Sequence, residues 1–218
     1  MPPPNFGSLI GAVRGRGAPP PPAVVGFGDS ITWGSGTANP PATSYIGRAA
    51  ALLGAGSVNF GIPAAFADRI ALDVPRIVLD GATVVLNAGT NDAGVAAIGA
   101  DPERAAETIR AGPASAVDAL LAAARAQFPR GRIIVVTVRD LGRARAAYEN
   151  ASPEALTAAA RALNEHLRAA AARAGAALLD LETDPQWYIR FEYDNTGIHP
   201  NDVGSERLAR AVAALAGG

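Results

Sequence analysis

The chain has 218 residues, no cysteine and a formal net charge of -1. This length suits one α/β domain. The lack of cysteine excludes disulfides and thiolate chemistry, and the near-neutral charge argues against binding to nucleic acid or an anionic membrane. All 19 basic residues are arginine, which also excludes a P-loop lysine and Schiff-base catalysis.

Residues 1–22 contain two proline clusters and predict an extended arm or linker before a domain over residues 23–218. This segment lacks the charged and apolar regions of a signal peptide. No stretch of the chain approaches the ~18 consecutive apolar residues that a membrane span needs. We expect a cytoplasmic protein by default, or a mature or excised domain of a secreted one.

Short apolar runs predict the strands of a parallel sheet that is covered on both faces, because none alternates polar with apolar residues. They are Ala23–Phe27, Ser57–Phe60, Thr83–Asn87, Ile133–Val138 and Ala176–Leu179. Longer helical stretches separate the runs. The alternation predicts an α/β fold with a doubly wound sheet and right-handed crossovers.

Helix boundaries are marked by residues suited to capping. An N-cap residue precedes a proline at Asp101-Pro102 and at Ser152-Pro153. Gly112-Pro113 divides the first of these helical stretches into two pieces, and Gly175 suits the left-handed position that ends the second. A last helix is predicted from Asp202 to Leu215.

Polar residues follow several predicted strands at the edge where doubly wound sheets bind ligands. Ser30 follows the first strand, Asn91 follows the third, and His199 precedes the last helix. Each alone suits a turn, a cap or a hydrogen-bonded structural residue, but together they bring a hydroxyl, an amide and an imidazole to one edge. His166, the only other histidine, lies within a polar helical stretch and is interpreted as solvated surface.

The strings GDSITWG, NAGTND and GIHPN resemble blocks one, three and five of the GDSL, or SGNH, hydrolase family, and they occur in the family's order. That family comprises serine esterases, lipases and acyl-transfer enzymes. The resemblance implies a three-layer α/β/α fold of flavodoxin-like topology with about five parallel strands. It also implies a small-molecule or carbohydrate ester as substrate and no cofactor or metal.

The resemblance assigns a role to each matching residue. Ser30 would be the nucleophile, and His199 would be the base that takes the serine proton and later returns it to the leaving group. The backbone N–H groups of Ser30 and Ala64 and the side-chain amide of Asn91 would form the oxyanion hole. Asp29 is expected to brace the loop rather than to react.

The chain departs from the family pattern at two positions. Ala64 stands where the family has a glycine, and its methyl group disfavours a left-handed backbone by about 1 kcal/mol or more. Thr196 stands where the family has its triad aspartate, and a hydroxyl cannot stabilise an imidazolium as a carboxylate does. Asp194 could replace it, a backbone carbonyl could orient His199 in a Ser–His dyad, or the protein could be a weakened enzyme. Asp184 is a less favoured substitute.

The resemblance therefore implies a serine esterase that hydrolyses short-chain or acetyl esters, or transfers their acyl group, through an acyl-enzyme. The short-chain expectation rests on the lack of any feature that predicts a long acyl tunnel. The alternative is a catalytically weakened carbohydrate- or acyl-binding module of the same fold. A dinucleotide site is disfavoured because Ile31 occupies the third glycine position of that fingerprint.

Residues 139–148 follow the fourth predicted strand and contain three arginines, Arg139, Arg143 and Arg145. We interpret them as solvated surface charges in preference to a carboxylate- or phosphate-binding group. The aromatic residues Trp33, Trp187 and Tyr188 suit either a substrate pocket or core packing, and the sequence leaves both open.

Overall fold

A computed structural model describes residues 23–72, 74, 81–144, 148–184, 187 and 192–217. The predicted proline-rich arm, residues 1–22, lies outside this range, and so do Arg145 and Tyr188. The predicted domain boundary at residue 23 therefore stays a prediction.

The described strands form one five-stranded sheet in the order β2-β1-β3-β4-β5, and every neighbouring pair is parallel. The strands are β1 (Ala23–Gly28), β2 (Gly56–Gly61), β3 (Thr83–Asn87), β4 (Arg132–Val136) and β5 (Ala177–Leu179). This order is the flavodoxin-like one. Gly28 pairs with both Gly61 and Asn87, so three strands end level with one another at the same edge.

Eight α-helices are described, and the last four lie close to the helical stretches that the sequence indicated. They are α1 (Ser30–Trp33), α2 (Tyr45–Leu52), α3 (Ala67–Leu72), α4 (Thr90–Ala96), α5 (Pro102–Ala111), α6 (Pro113–Gln127), α7 (Pro153–Ala174) and α8 (Asp202–Gly217). The Asp101 and Ser152 side chains accept hydrogen bonds from the backbone N–H groups of Arg104 and Ala155. Gly175 ends α7 with a φ of 59°.

Helices cover both faces of the sheet, which makes three layers. On one face α2 and α8 pack against each other and bury Tyr45, Ile46 and Leu208. On the other face α3 to α7 bury a larger core that includes Phe27 and Phe128. Strands that are buried on both sides explain the continuous apolar runs of the sequence.

The fourth strand ends two residues earlier than predicted, at Val136 instead of Val138. Val138 pairs with a side chain instead of a strand: its N–H donates to Asn164 Oδ1 at 2.8 Å and its carbonyl accepts from Asn164 Nδ2 at 2.6 Å. Asn164 is fully buried on α7. The Asn164 amide thus satisfies the backbone groups of Val138 in place of a neighbouring strand. The chain leaves the sheet at this point and continues into residues 139–144.

Candidate active site

Ser30 is the first residue of α1, directly after the central strand β1. Asp29 caps this helix, since its Oδ1 accepts a hydrogen bond from the Ile31 N–H at 2.9 Å. A Cβ at Gly28 would clash with the carbonyl oxygen of Asn87, so only glycine lets β1 turn into α1 this close to β3. The tight turn places the Ser30 side chain at the carboxyl edge of the sheet.

His199 reaches the same point from the far end of the chain. Its Nε2 lies 3.0 Å from the Ser30 Oγ across a sequence separation of 169 residues. An isolated antiparallel bridge between Tyr193 and Pro200 closes the loop that carries the imidazole. Gly197, at a φ of 76°, lets the loop reverse.

Asp194 lies on the other side of the imidazole, with its Oδ2 2.9 Å from His199 Nδ1. Its other oxygen, Oδ1, accepts from the Thr196 Oγ1 at 2.6 Å and from the Thr196 and Gly197 N–H groups at 3.1 Å each. Of the sequence alternatives, the geometry matches Asp194, because His199 Nδ1 faces this carboxylate and not Asp184 or a carbonyl. Thr196, at the position where the family has its aspartate, holds the substitute carboxylate in place.

The charge on Asp194 determines the tautomer of His199. Burial alone raises the pKa of Asp194, but hydrogen bonds from Thr196 and His199 outweigh that effect and hold it below its ordinary value. An ionised carboxylate only accepts hydrogen bonds, so His199 Nδ1 carries the proton. In the neutral imidazole, Nε2 is then the nitrogen without a proton, and it can accept the proton of the Ser30 hydroxyl.

The loop after β2 brings Ala64 and Asn91 together. Ala64 has a φ of 63° and is the only non-glycine residue with a positive φ in the described part of the chain. Asn91, on the first turn of α4, donates one amide N–H to the Ala65 carbonyl at 2.8 Å. Its amide has a second N–H group to offer. These are the two residues that the resemblance assigns to the oxyanion hole beside Ser30.

Arg139 corrects the interpretation of the arginine-rich loop as solvated surface. Its side chain is only 6% exposed. The guanidinium donates to the Gly197 carbonyl at 2.6 Å and lies 3.9 Å above the ring of Tyr193. Arg139 therefore braces the loop that carries Asp194 and His199. The signal in the sequence was its place directly beyond the fourth strand, at the edge where functional residues gather. Arg143, in contrast, is 61% exposed.

Four candidate residues remain: two tryptophans, a histidine and an aspartate. Trp187 is buried, and its carbonyl accepts from the Tyr193 hydroxyl at 2.9 Å, so it is a core residue. Trp33 is half-buried on α1. His166 is more covered than predicted, with a side-chain exposure of 25%, and its Nε2 lies 3.1 Å from Asp118 of α6. Asp29 is fully buried, and burial raises its pKa to about 6.

The described residues contain no group of three or more histidine, aspartate and glutamate side chains arranged to hold a metal ion. None of their helices combines the length and the apolar composition that crossing a membrane requires.

Comparison with known proteins bears on the family and the fold. The model of the GDSL-like Lipase/Acylhydrolase family matches residues 27–207, a range that contains all of the candidate residues. Among solved structures, the extracellular lipase of Streptomyces rimosus superposes with a TM-score of 0.67 at 19% identity and covers 88% of this chain and 99% of that chain. Phospholipase A1 of Streptomyces albidoflavus gives 0.64 at 18% identity, with coverages of 88% and 100%.

A G-D-S-L family protein of Veillonella parvula gives a TM-score of 0.60 at 20% identity, covering 88% of this chain and 96% of its own. At these identities the structural matches show the fold and no more. No curated protein sequence matches the chain.

Proposed function

Since the chain belongs to the GDSL-like lipase/acylhydrolase family, we propose that it is a carboxylic ester hydrolase that uses Ser30 as its nucleophile. Membership of a lipase and acylhydrolase family is consistent with ester hydrolysis. One observation carries the proposal. Ser30, His199 and Asp194 form a continuous hydrogen-bonded chain, with contacts of 3.0 and 2.9 Å, of the kind that activates a serine hydroxyl.

The first half of the reaction forms an acyl-enzyme. Ser30 Oγ attacks the ester carbonyl carbon while His199 Nε2 takes the hydroxyl proton. The Asp194 carboxylate stabilises the imidazolium that results. The former carbonyl oxygen becomes an oxyanion and accepts hydrogen bonds from the N–H groups of Ser30 and Ala64 and from the Asn91 amide. The imidazolium then gives its proton to the leaving alkoxide, and the carbon–oxygen bond of the ester breaks.

The second half returns the serine. A water molecule attacks the acyl carbon, His199 takes one of its protons, and the oxyanion forms again in the same hole. Collapse of this intermediate breaks the bond to Ser30, which recovers its proton from His199, and the carboxylic acid leaves. An alcohol in place of the water gives acyl transfer by the same steps.

The oxyanion donors and the charge of Asp194 are expected to contribute differently to the rate. Each oxyanion donor is worth about 3 kcal/mol of transition-state stabilisation. Loss of the charge behind the histidine of a comparable triad lowers kcat by on the order of 10⁴. We accordingly expect Asp194→Asn to cost more activity than Asn91→Ala.

Acetyl and other short-chain esters of small molecules or carbohydrates are the simplest substrates for this site, because they need only the nucleophile and the hole. The alternative, a binding module with weakened catalysis, was favoured by Thr196 alone. With Asp194 beside His199, Thr196 no longer supports that alternative.

A fluorophosphonate probe and p-nitrophenyl acetate test the proposal together. We expect covalent labelling at Ser30, and we expect Ser30→Ala and His199→Ala each to abolish turnover. His166→Ala is the matched control, since it removes the other histidine and should leave the rate intact. Undiminished hydrolysis by the serine variant, or no labelling of the wild type, would overturn the mechanism.

A further inference from the structure

The loop that joins α1 to α2, residues 34–44, begins on the backbone of the proposed nucleophile. We call it the α1–α2 loop. The Ser30 carbonyl accepts hydrogen bonds from the Gly34 N–H at 3.1 Å and from the Ser35 N–H at 2.9 Å. Gly34 has a φ of 97°, which lets the chain reverse as soon as α1 ends. The start of the loop is therefore fixed relative to Ser30.

One residue later the same loop meets the proposed base. A Cβ built on Gly36 would lie 2.9 Å from the His199 Cβ and 2.8 Å from the Pro200 carbonyl oxygen. Non-bonded carbon atoms are in favourable contact only at about 3.5–4.0 Å. No side chain therefore fits between the backbone of Gly36 and His199. The φ of Gly36, 96°, is a second reason for glycine at this position.

The other end of the α1–α2 loop is attached to the helices on either side. The Arg48 Nε of α2 donates to the Thr43 carbonyl at 2.8 Å, and its Nη2 donates to Asp202 Oδ1 at 2.5 Å. Asp202, the first residue of α8, also accepts from the Ala38 N–H at 3.2 Å. Because α8 begins three residues after His199, the loop and the segment that carries the imidazole share this attachment.

Threonine hydroxyls hold the two arms of the loop together. Thr37 Oγ1 donates to the Gly34 carbonyl at 2.7 Å. Thr43 Oγ1 donates to Thr37 Oγ1 at 2.9 Å and accepts from the Asn39 N–H at 3.1 Å. A loop bonded in this way resists movement away from His199. Its contact with His199 is separate from the support that Arg139 gives through the Gly197 carbonyl.

We propose that Gly36 is a positioning residue through which the α1–α2 loop sets the distance between Ser30 and His199. This inference rests on the proposed esterase function. The His199 Nε2 and Ser30 Oγ are 3.0 Å apart, within the range that proton transfer requires. A methyl group on residue 36 has to move His199, or the loop bonded to Ser30, by about 1 Å. A misplacement of that size costs up to about a hundredfold in rate.

Gly36→Ala tests the inference through steady-state kinetics on two acetate esters. For p-nitrophenyl acetate, kcat should fall about a hundredfold with little change in KM, because the proposed substrate contacts stay. The kcat/KM for ethyl acetate should fall at least about tenfold further. Its alkoxide needs a proton from His199 in order to leave, which p-nitrophenolate does not, and general acid catalysis is worth about 10²–10⁴-fold. A variant that is merely destabilised would lose both rates alike.

Gly54→Ala is the matched control. Gly54 also has a positive φ, 62°, but a Cβ there would meet no atom within 4 Å in the described part of the chain apart from its chain neighbours. Alanine at this position adopts a left-handed backbone without touching the site. Tm should therefore fall by about 2–4 °C, while both esters keep their wild-type rates.

Arg48→Met provides a second test if circular dichroism shows that Gly36→Ala does not fold. Methionine keeps the apolar stem and removes the bonds to Thr43 and Asp202. We expect kcat to fall about threefold, the size of one partly exposed ion pair, with a larger loss on ethyl acetate. Its control is Arg173→Met, which removes the ion pair with Asp118 on the other face of the sheet and should leave both rates unchanged.

The outcomes separate this inference from the proposed function. Wild-type rates in Gly36→Ala, an equal loss on both esters, or a change in KM alone would overturn the positioning role while Ser30-dependent hydrolysis stands. If Gly36→Ala does not fold, wild-type rates in Arg48→Met would overturn it too. Absence of Ser30-dependent hydrolysis of either ester by the wild type would instead refute the proposed function.

Discussion

Ala64 carries a methyl group in a backbone conformation that suits glycine. The Ala65 N–H donates to the Ile62 carbonyl at 3.1 Å, which closes a turn with Pro63 and Ala64 as its central residues. Proline is favoured at the first central position, and a positive φ at the second usually means glycine. The φ of 63° costs an alanine about 1–2 kcal/mol. The strain lies at a proposed oxyanion donor, where such strain tends to be kept.

Ala64→Gly should therefore stabilise the protein by about 1 kcal/mol, which raises Tm by about 2–4 °C for a domain of this size. Ala122→Gly is the control, because Ala122 lies exposed within α6 and a glycine there should cost about 1 kcal/mol. Thermal unfolding of both variants measures the contrast. A loss of stability in Ala64→Gly would show that the conformation is not strained.

Thr196 holds the Asp194 carboxylate by a hydrogen bond. Its hydroxyl donates to Asp194 Oδ1 at 2.6 Å and contributes to holding the pKa of that carboxyl below its ordinary value. Thr196→Asp, which restores the family residue, should therefore lower kcat instead of raising it. A second carboxylate would repel the first and remove the donor. Thr196→Ser keeps the hydroxyl and should retain most of the activity. A higher rate for Thr196→Asp would mean that Asp194 does not serve His199.

The role of a residue could be predicted where its motif has a chemical reason. It could not be predicted where that role depends on tertiary packing. Ser30, Asn91 and His199 stand out because a hydroxyl, an amide and an imidazole follow or approach strand ends. Asp194 was one of several alternatives, because its orientation depends on the reversal at Gly197. Arg139 was misinterpreted, since a charged residue is normally exposed and only the tertiary structure supplies the carbonyl and the ring that allow its burial.

At the scale of elements, the segment that follows β4 supports the loop that carries His199. The Arg139 guanidinium bonds the Gly197 carbonyl and covers the Tyr193 ring, and these residues lie on either side of Asp194. Arg139 thus acts as a positioning residue that holds Asp194 and His199 toward Ser30. Lysine cannot reproduce the planar stacking and directional bonding of arginine.

Arg139→Lys should lower kcat about tenfold or more with little change in KM, because the loop shifts while the proposed substrate contacts stay. A hydrogen bond to a charged group is worth about 1.5–3 kcal/mol, which sets that scale. Steady-state kinetics separate the two parameters, and Arg143→Lys, at an exposed position of the same loop, should change neither. An effect on KM alone would place Arg139 in substrate binding instead.

Whole elements were easier to predict than their ends. The central strands are largely apolar because helices cover both faces, and the caps at Asp101, Ser152 and Gly175 are local in sequence, so these could be found without the structure. The end of β4 could not, because it depends on Asn164 reaching Val138 from a distant helix.

At the scale of the whole molecule, the sheet order makes the site depend on the complete fold. The central strand β1 carries Ser30, while His199 arrives from the segment before α8, a helix that packs on α2. Asp29 lies fully buried at this junction. Burial raises its pKa from 3.8 to about 6, although the Ile31 N–H and the charge of His199 oppose the effect.

This shift makes the free energy of unfolding depend on pH in a definite direction. Between about pH 4 and 6 the folded protein holds the Asp29 proton that the unfolded chain releases, so stability falls as pH rises through that window. A shift of about two pKa units corresponds to about 3 kcal/mol. Asp29→Asn keeps the cap and removes the titration. Its stability relative to the wild type should therefore rise by about 2–3 kcal/mol from pH 4 to pH 7. Urea unfolding of the variant and the wild type across this range measures the difference. Parallel pH profiles for the two proteins would mean that Asp29 titrates as an ordinary carboxyl.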